Sequence, residues 1–228
     1  MQPIVFKSAL VLISALAAPF AFAQDVAPDV LLKEVTSEVI AIIRQDKEIQ
    51  AGDPAKVAAL VETRILPLFD FTRMTRLAVA RNWRVATPGQ QEALTTEFRT
   101  LLVRTYSTAL SSYRDQVIEF KRLHAASGGT EVTVKSVIRQ PGTEPLTIDY
   151  DMERIAAGWK VYDIRIDGVS LITTYRGTFA AKVREGGVDG LIKSLSEKNR
   201  RGDARFRPHQ AESFYFPAIV QIVMQGGR

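Results

Sequence analysis

The chain contains no cysteine and only two histidines among its 228 residues. The first absence excludes disulfides and thiolate metal sites. The second leaves little material for acid–base chemistry: His124 and His209 stand far apart in sequence, and no H-E-x-x-H, G-x-S-x-G or Walker loop is present. Long charge blocks are also missing. With 30 Lys+Arg against 25 Asp+Glu the net charge is +5, too evenly spread to suggest a nucleic-acid tail. A basic patch facing phosphate or an anionic membrane is allowed by that balance and not required by it. The longest apolar run, Ser8 to Phe20, is too short and interrupted to span a bilayer comfortably.

That run has another use. A short segment with Lys7 precedes it, and Ala21-Phe22-Ala23 follows it as an A-x-A cleavage pattern. Residues 1–23 are therefore expected to be a secretory signal, with the exported, soluble chain beginning at Gln24. No cysteine follows the cut, so no lipid anchor is expected.

The stretch Gly158 to Phe179 organises the remainder. Trp159 and Val161 alternate with Lys160, then Tyr162, Ile164 and Ile166 alternate with Asp163, Arg165 and Asp167. The apolar phase changes face between Val161 and Tyr162, so the strand is either apolar on both faces or shifted by a bulge. Asp167-Gly168 marks a turn, and Ser170 is placed to cap a following helix that carries Leu171, Ile172, Tyr175 and Phe179. Upstream, an amphipathic helix runs from Pro28 to about Gln50, a second starts at the Asp53-Pro54 cap and a third follows Asp70. Thr87 and Gln90 form a capping box for the longest helix, whose stripe from Leu94 to Tyr113 would span about 40 Å. Strands follow at Val117–Leu123, Thr130–Arg139, Pro145–Ile155 and Gly158–Asp167, joined by glycine-containing turns. Gly186-Gly187 ends the helix from Ser170, and a last helix holds Leu191 and Leu195. The fold class is α+β: N-terminal helices, a curved antiparallel four-stranded sheet packed on the long helix, then C-terminal helices. Residues 24–199 form a single domain, and residues 200–228 are expected to be a poorly ordered tail whose apolar end is alternatively free to dock on the domain or a partner.

Candidate chemistry is sparse. Gly168-Val169-Ser170 sits at a strand-to-helix turn but lacks the flanking pattern of a nucleophile elbow, and Ser170 reads better as a cap. Asp149, Asp151, Asp163 and Asp167 are oxygen donors suited to a hard cation if they converge, yet they occupy positions where solvent-facing strand residues are expected. Arg73, Arg76, Arg81 and Arg84 cluster around Trp83, either as a phosphate-binding group or as a solvated helix face.

Three segments carry a resemblance: LPLFDFTRMTRLAVARNWRVATPGQQEALTTEFRTLLVRTYSTAL, LTIDYDMERIAAGWKVYDIRIDGVSLITTYRGTF and GVDGLIKSL. Over Val30 to Lys198 the chain resembles the MlaC-type periplasmic phospholipid-binding proteins, also called toluene-tolerance auxiliary proteins. It departs from them at Val79-Ala80, where family members often have Leu-Gly, and after Arg200, where no counterpart is recognised. The resemblance implies a periplasmic carrier without catalytic step or cofactor. Its ligand is a phospholipid held by the acyl chains. Its partners are an inner-membrane ABC transporter complex of Mla type and an outer-membrane lipoprotein complex of MlaA type. Nucleic acid is not a partner, and the carrier is taken as a monomer.

The residues read on their own fit this. A diacyl lipid has about thirty methylenes worth roughly 0.8 kcal/mol each, so exposing both tails costs on the order of 25 kcal/mol. A carrier must enclose them between apolar sheet and helix faces. Phe69, Phe71, Leu77, Trp83, Phe98, Leu102, Tyr106, Val132, Val134, Ile148, Tyr150, Val161, Ile164, Val169, Ile172 and Tyr175 are expected to include most of the lining. Arg73, Arg76, Arg81 and Arg84 are expected to form a head-group or partner surface. An exported structural or chaperone-like subunit is the alternative. A hydrolase is disfavoured by the histidine supply, and a small-solute binder by the apolar stripes.

Overall fold

The computed structural model describes residues 26–107, 110, 113–123 and 129–201. The expected signal segment, His124, His209 and the tail after Arg201 lie outside the described residues.

Helix α1 (Pro28–Gln45) opens on a proline at its first position, with Asp29 in the first turn and Arg44 in the last, both complementing the helix dipole. It does not continue to Gln50. Asp46 adopts an extended conformation, and its carboxylate accepts the N–H groups of Glu48 and Ile49 to start the short α2 (Lys47–Gln50). Asp53 caps α3 (Pro54–Leu60) through the N–H groups of Ala55 and Lys56. A π-turn (Val61–Ile65) and a 3-10 turn (Leu66–Leu68) then deliver the chain to Phe69.

Phe69 is extended, and it and Asp70 lie beside the sheet. Phe69 forms a parallel bridge with Val161, and the Asp70 N–H donates to the Val161 carbonyl at 2.9 Å. The Asp70 side chain then caps α4 (Phe71–Val79) at the Arg73 N–H, 2.8 Å away. A 3-10 turn (Ala80–Arg84) leads to α5 (Pro88–Tyr106), which starts on the expected Thr87/Gln90 capping box. Its 19 residues span about 28 Å rather than 40.

The sheet is an antiparallel meander of β1 (Val117–Phe120), β2 (Glu131–Arg139), β3 (Leu146–Ile155), β4 (Gly158–Ile166) and the two-residue β5 (Val169–Ser170). Four strands were expected; β5 escapes pattern reading because two residues show no period. Asp167 (φ 47°) and Gly168 (φ 82°) make the tight β4–β5 turn, both in the left-handed region.

A bulge resolves the phase change in β4. Asp151 pairs with Asp163 and Met152 with Val161, so Tyr162 is the extra residue. Trp159, Val161, Ile164 and Ile166 consequently share one face with Ile148, Tyr150 and Met152. The sheet is thus apolar on one face, not two. The other face carries Thr133, Lys135, Asp149, Asp151, Glu153 and Arg165, and Arg165 bridges Asp151 at 2.9 Å.

Helix α6 (Leu171–Arg201) is kinked where Gly186 and Gly187 leave helical geometry, Gly187 at φ 68°. It runs slightly past the expected domain end. Asn199 donates to the Glu97 carbonyl at 2.9 Å and to the Glu97 carboxylate at 2.6 Å, and Arg104 donates to the Asn199 carbonyl.

The apolar residues fall into three clusters. Helices α4, α5 and α6 enclose Met74, Leu94, Phe98, Leu101, Ile172, Tyr175 and Phe179. Within it Phe98 packs edge-on to Tyr175 and Phe179, each 5.0 Å between ring centroids. Helices α1 to α3 bury Val39, Ile43, Ile49 and Leu60. The sheet's apolar face buries Val134, Met152 and Val161 against Leu32.

Candidate functional site

Between these clusters the apolar groups do not close up. Among the described residues, adjoining cavities of about 290 and 280 Å³ lie here. The first lies between α1 (Leu32, Val35, Val39, Ile43) and the sheet (Ile118, Ile138, Leu146, Val161). The second lies between the far end of α5 (Leu102, Val103, Tyr106), the start of α4 (Phe71, Met74) and Ile148, Ile164 and Ile166. Ile65, Phe69, Leu110 and Tyr150 border both, so they form the partition of one two-lobed space.

Phe69 owes its place in the partition to backbone bonding. The bridge to Val161 fixes its main chain, and its ring stacks on Phe71 with centroids 5.7 Å apart. Tyr150 reaches the same partition from the middle of β3, and its ring lies 6.1 Å from that of Phe120.

No described lining residue of either lobe bears a formal charge; the polar groups are Thr36, Tyr106, Ser107, Tyr113, Gln116 and Tyr150. Burial pushes the Tyr106 phenol up to about 12, partly offset by its hydrogen bond with Tyr175. Burial also raises Tyr150, whose hydroxyl pairs with Ser136. Both phenols stay neutral at ordinary pH. At the edge of the first lobe the Tyr113 hydroxyl donates to the Gln116 carbonyl at 2.9 Å and accepts from exposed Arg44 at 3.2 Å. Such a space can take an apolar chain and offers nothing to compensate a charge.

The structure distributes the expected lining residues unevenly. Phe69, Phe71, Leu102, Tyr106, Ile148, Tyr150, Val161 and Ile164 stand on the walls. Phe98, Ile172 and Tyr175 are buried in the α4–α5–α6 cluster, with Leu77 and Trp83 packed against it. Val132 and Val134 belong to the cluster around Leu32 and Met152. Val169 is 40% exposed on β5. Helix α5 explains the division: its stripe is wide enough to serve two interfaces, with Leu94, Phe98 and Leu101 toward α6 and Leu102, Val103 and Tyr106 toward the cavity. The sequence pattern does not single out the contribution of α1, or those of Ile65, Ile118, Ile138 and Leu146. The α1 stripe was legible, but nothing in it separates cavity wall from core.

The arginine cluster also divides. Arg73 is 14% exposed, bridges Glu131 at 2.6 Å, contacts Glu153 and lies 3.6 Å over the Tyr162 ring. It clamps α4 to the polar face of the sheet. Arg76, Arg81 and Arg84 are exposed.

The aspartates have separate duties. Asp149 and Asp151 meet Arg165. Asp163 accepts from the Ser170 hydroxyl at 2.6 Å and from the Ile172 N–H at 3.2 Å, and Asp167 accepts from Thr147. Among the described residues no group of three or more acidic, His or Cys side chains could hold a metal. Ser170 caps α6, accepting from the Thr173 N–H at 3.0 Å.

Comparison with known proteins agrees with this architecture. The chain is 39% identical to a phospholipid-binding protein from Ralstonia solanacearum solved in complex with a phospholipid. The TM-score is 0.72, over 78% of this chain and 99% of that one. It is 25% identical over 188 residues to the toluene tolerance protein ttg2D of Pseudomonas putida, covering 77% of this chain and 85% of that protein. It is 20% identical over 176 residues to the intermembrane phospholipid transport system binding protein MlaC of Haemophilus influenzae, covering 76% of this chain and 82% of that protein. The profile of the MlaC protein family matches residues 33–197. The chain belongs to the MlaC protein family.

Proposed function

We propose that this protein is a periplasmic carrier that binds a phospholipid by its acyl chains and moves it between the inner and outer membranes. The uncharged, two-lobed apolar cavity carries the reading. It is what a two-tailed amphiphile needs: each lobe takes one chain, and Phe69 and Tyr150 stand between them. Enclosure of about thirty methylenes at roughly 0.8 kcal/mol each offsets their exposure to water, so a loaded carrier can cross an aqueous space. The head group, which the walls cannot compensate, stays at the mouth. The phospholipid complex of the Ralstonia protein supports the choice of ligand. Partners of Mla type, an inner-membrane ABC transporter and an outer-membrane lipoprotein complex, would supply and receive the lipid. No catalytic step is assigned, because Ser170 is engaged as a cap and Asp163 as its partner.

Charge substitutions test the cavity. Ile148→Glu and Ile164→Glu place a carboxylate in the second lobe and should abolish copurifying phospholipid. Val169→Glu, on the exposed β5, should leave it unchanged. Full lipid content in folded Ile148→Glu and Ile164→Glu proteins would remove the second lobe from the site. Lipid-free protein in every case, wild type included, would favour a structural subunit.

A further inference from the structure

Once Arg73 is taken out of the sequence cluster, an unneutralised group remains at the end of α4. Arg76 lies in the last turn of that helix, and Arg81 and Arg84 in the 3-10 turn that follows. Arg176 of α6 joins them: its Nε donates to the Leu77 carbonyl at 3.3 Å, next to Arg76. All four are exposed, and none makes an ion pair among the described residues. Some exposed cations elsewhere are matched, Arg64 with Glu38, Arg99 with Glu62, Arg139 with Glu119 and Lys182 with Glu185. Lys33, Lys47, Arg184 and Lys193 make no ion pair among the described residues but are spread along α1, α2 and α6 rather than gathered at one helix end.

A second feature accompanies the charge. Val85, directly after Arg84, is 76% exposed. It is held out by a pinned loop. Gln91 Nε2 donates to the Trp83 carbonyl at 2.9 Å and to the Ala86 carbonyl at 3.3 Å, and Ala86 is buried. Trp83 turns inward onto the helical core.

We propose that Arg76, Arg81, Arg84 and Arg176, with Val85 next to Arg84, form a docking site for an anionic phospholipid bilayer surface. Guanidinium groups not committed to carboxylates can engage lipid phosphates bidentately. A protruding aliphatic side chain next to a cation suits the interface of a membrane, where apolar groups enter shallowly and basic groups stay with the head groups. A protein partner would be expected to meet an aromatic anchor at the centre of the patch. Here the one tryptophan available faces the core. The proposal deepens the carrier reading and rests on it for its purpose, since the complexes proposed to supply and receive the lipid sit in membranes and a docked carrier would find them along the surface.

Sedimentation of the purified chain with phosphatidylglycerol-rich vesicles, and with pure phosphatidylcholine vesicles, tests it. Binding should favour the anionic vesicles and weaken with salt. Each Arg→Gln substitution should reduce it roughly fivefold, and the quadruple variant should abolish it. Arg81→Gln and Arg84→Gln alone serve if the quadruple variant fails to fold. The assay reads attachment rather than copurified lipid, so docking and carriage fail separately. No preference for anionic vesicles at low salt, or unchanged affinity of the variants, would overturn the proposal.

Discussion

At Ala80 the backbone takes φ 53° and ψ −127°, a region comfortable only for glycine. The residue terminates α4 there, with its N–H on the Arg76 carbonyl. The departure from the Leu-Gly pair that family members often carry therefore has a physical content. This chain holds a Cβ where the turn has no use for one. Ala80→Gly is expected to stabilise the fold by about 1 kcal/mol, relief of strain outweighing the added freedom of the unfolded chain. A urea midpoint that falls in this variant would refute the strain. The Arg73 clamp gives a second residue-scale expectation. Its hydrogen bond and charge hold the Glu131 carboxyl below the ordinary value of 4.5. The folded state then binds this proton less tightly than the unfolded one. The contribution is present above about 4.5 and is lost as pH falls through the lower folded value. Glu131→Gln should flatten the acid limb of the stability profile. It should cost less than about 1 kcal/mol at neutral pH, since the glutamate side chain is 55% exposed. An unchanged acid limb would show that the clamp does not couple to stability.

Elements were legible where their signals are local. The Asp53-Pro54 and Thr87/Gln90 caps, the Asp167-Gly168 turn and the Gly186-Gly187 break all lie where short-range chemistry puts them. Element lengths were less so. Asp46 splits the first helix because its side chain bonds the next turn, and the apolar stripe through Leu110 and Tyr113 outlasts regular α5, which ends at Tyr106. The bulge at Tyr162 was written in the phase change of β4, but only the pairing with β3 shows which residue is extra. The wall residues were half legible. An apolar side chain facing an empty lobe and one facing a neighbour look alike in sequence, and α5 has both kinds. The junction of β4 and α6 yields a prediction of its own. Ser170→Ala removes the cap that bonds Thr173 and should cost about 1 kcal/mol. It should leave phospholipid content intact; loss of function in a fully folded variant would reopen a catalytic role for this serine.

On the scale of the molecule, the sheet and helices do not complete a single core. They form a helical core around Phe98 and Phe179, a smaller one under α1 to α3 and, between them, a space walled by uncharged side chains. A folded protein that leaves such a space unfilled forgoes packing, so a ligand that fills it should stabilise the fold by mass action. The loaded chain is expected to melt higher than the delipidated one, and readdition of phospholipid should restore the difference. The most direct test is a native mass spectrum of the chain purified without detergent, followed by solvent extraction. The account predicts a stoichiometric adduct of phospholipid mass that denaturation releases. A folded chain that flies empty and takes no lipid from vesicles would contradict it.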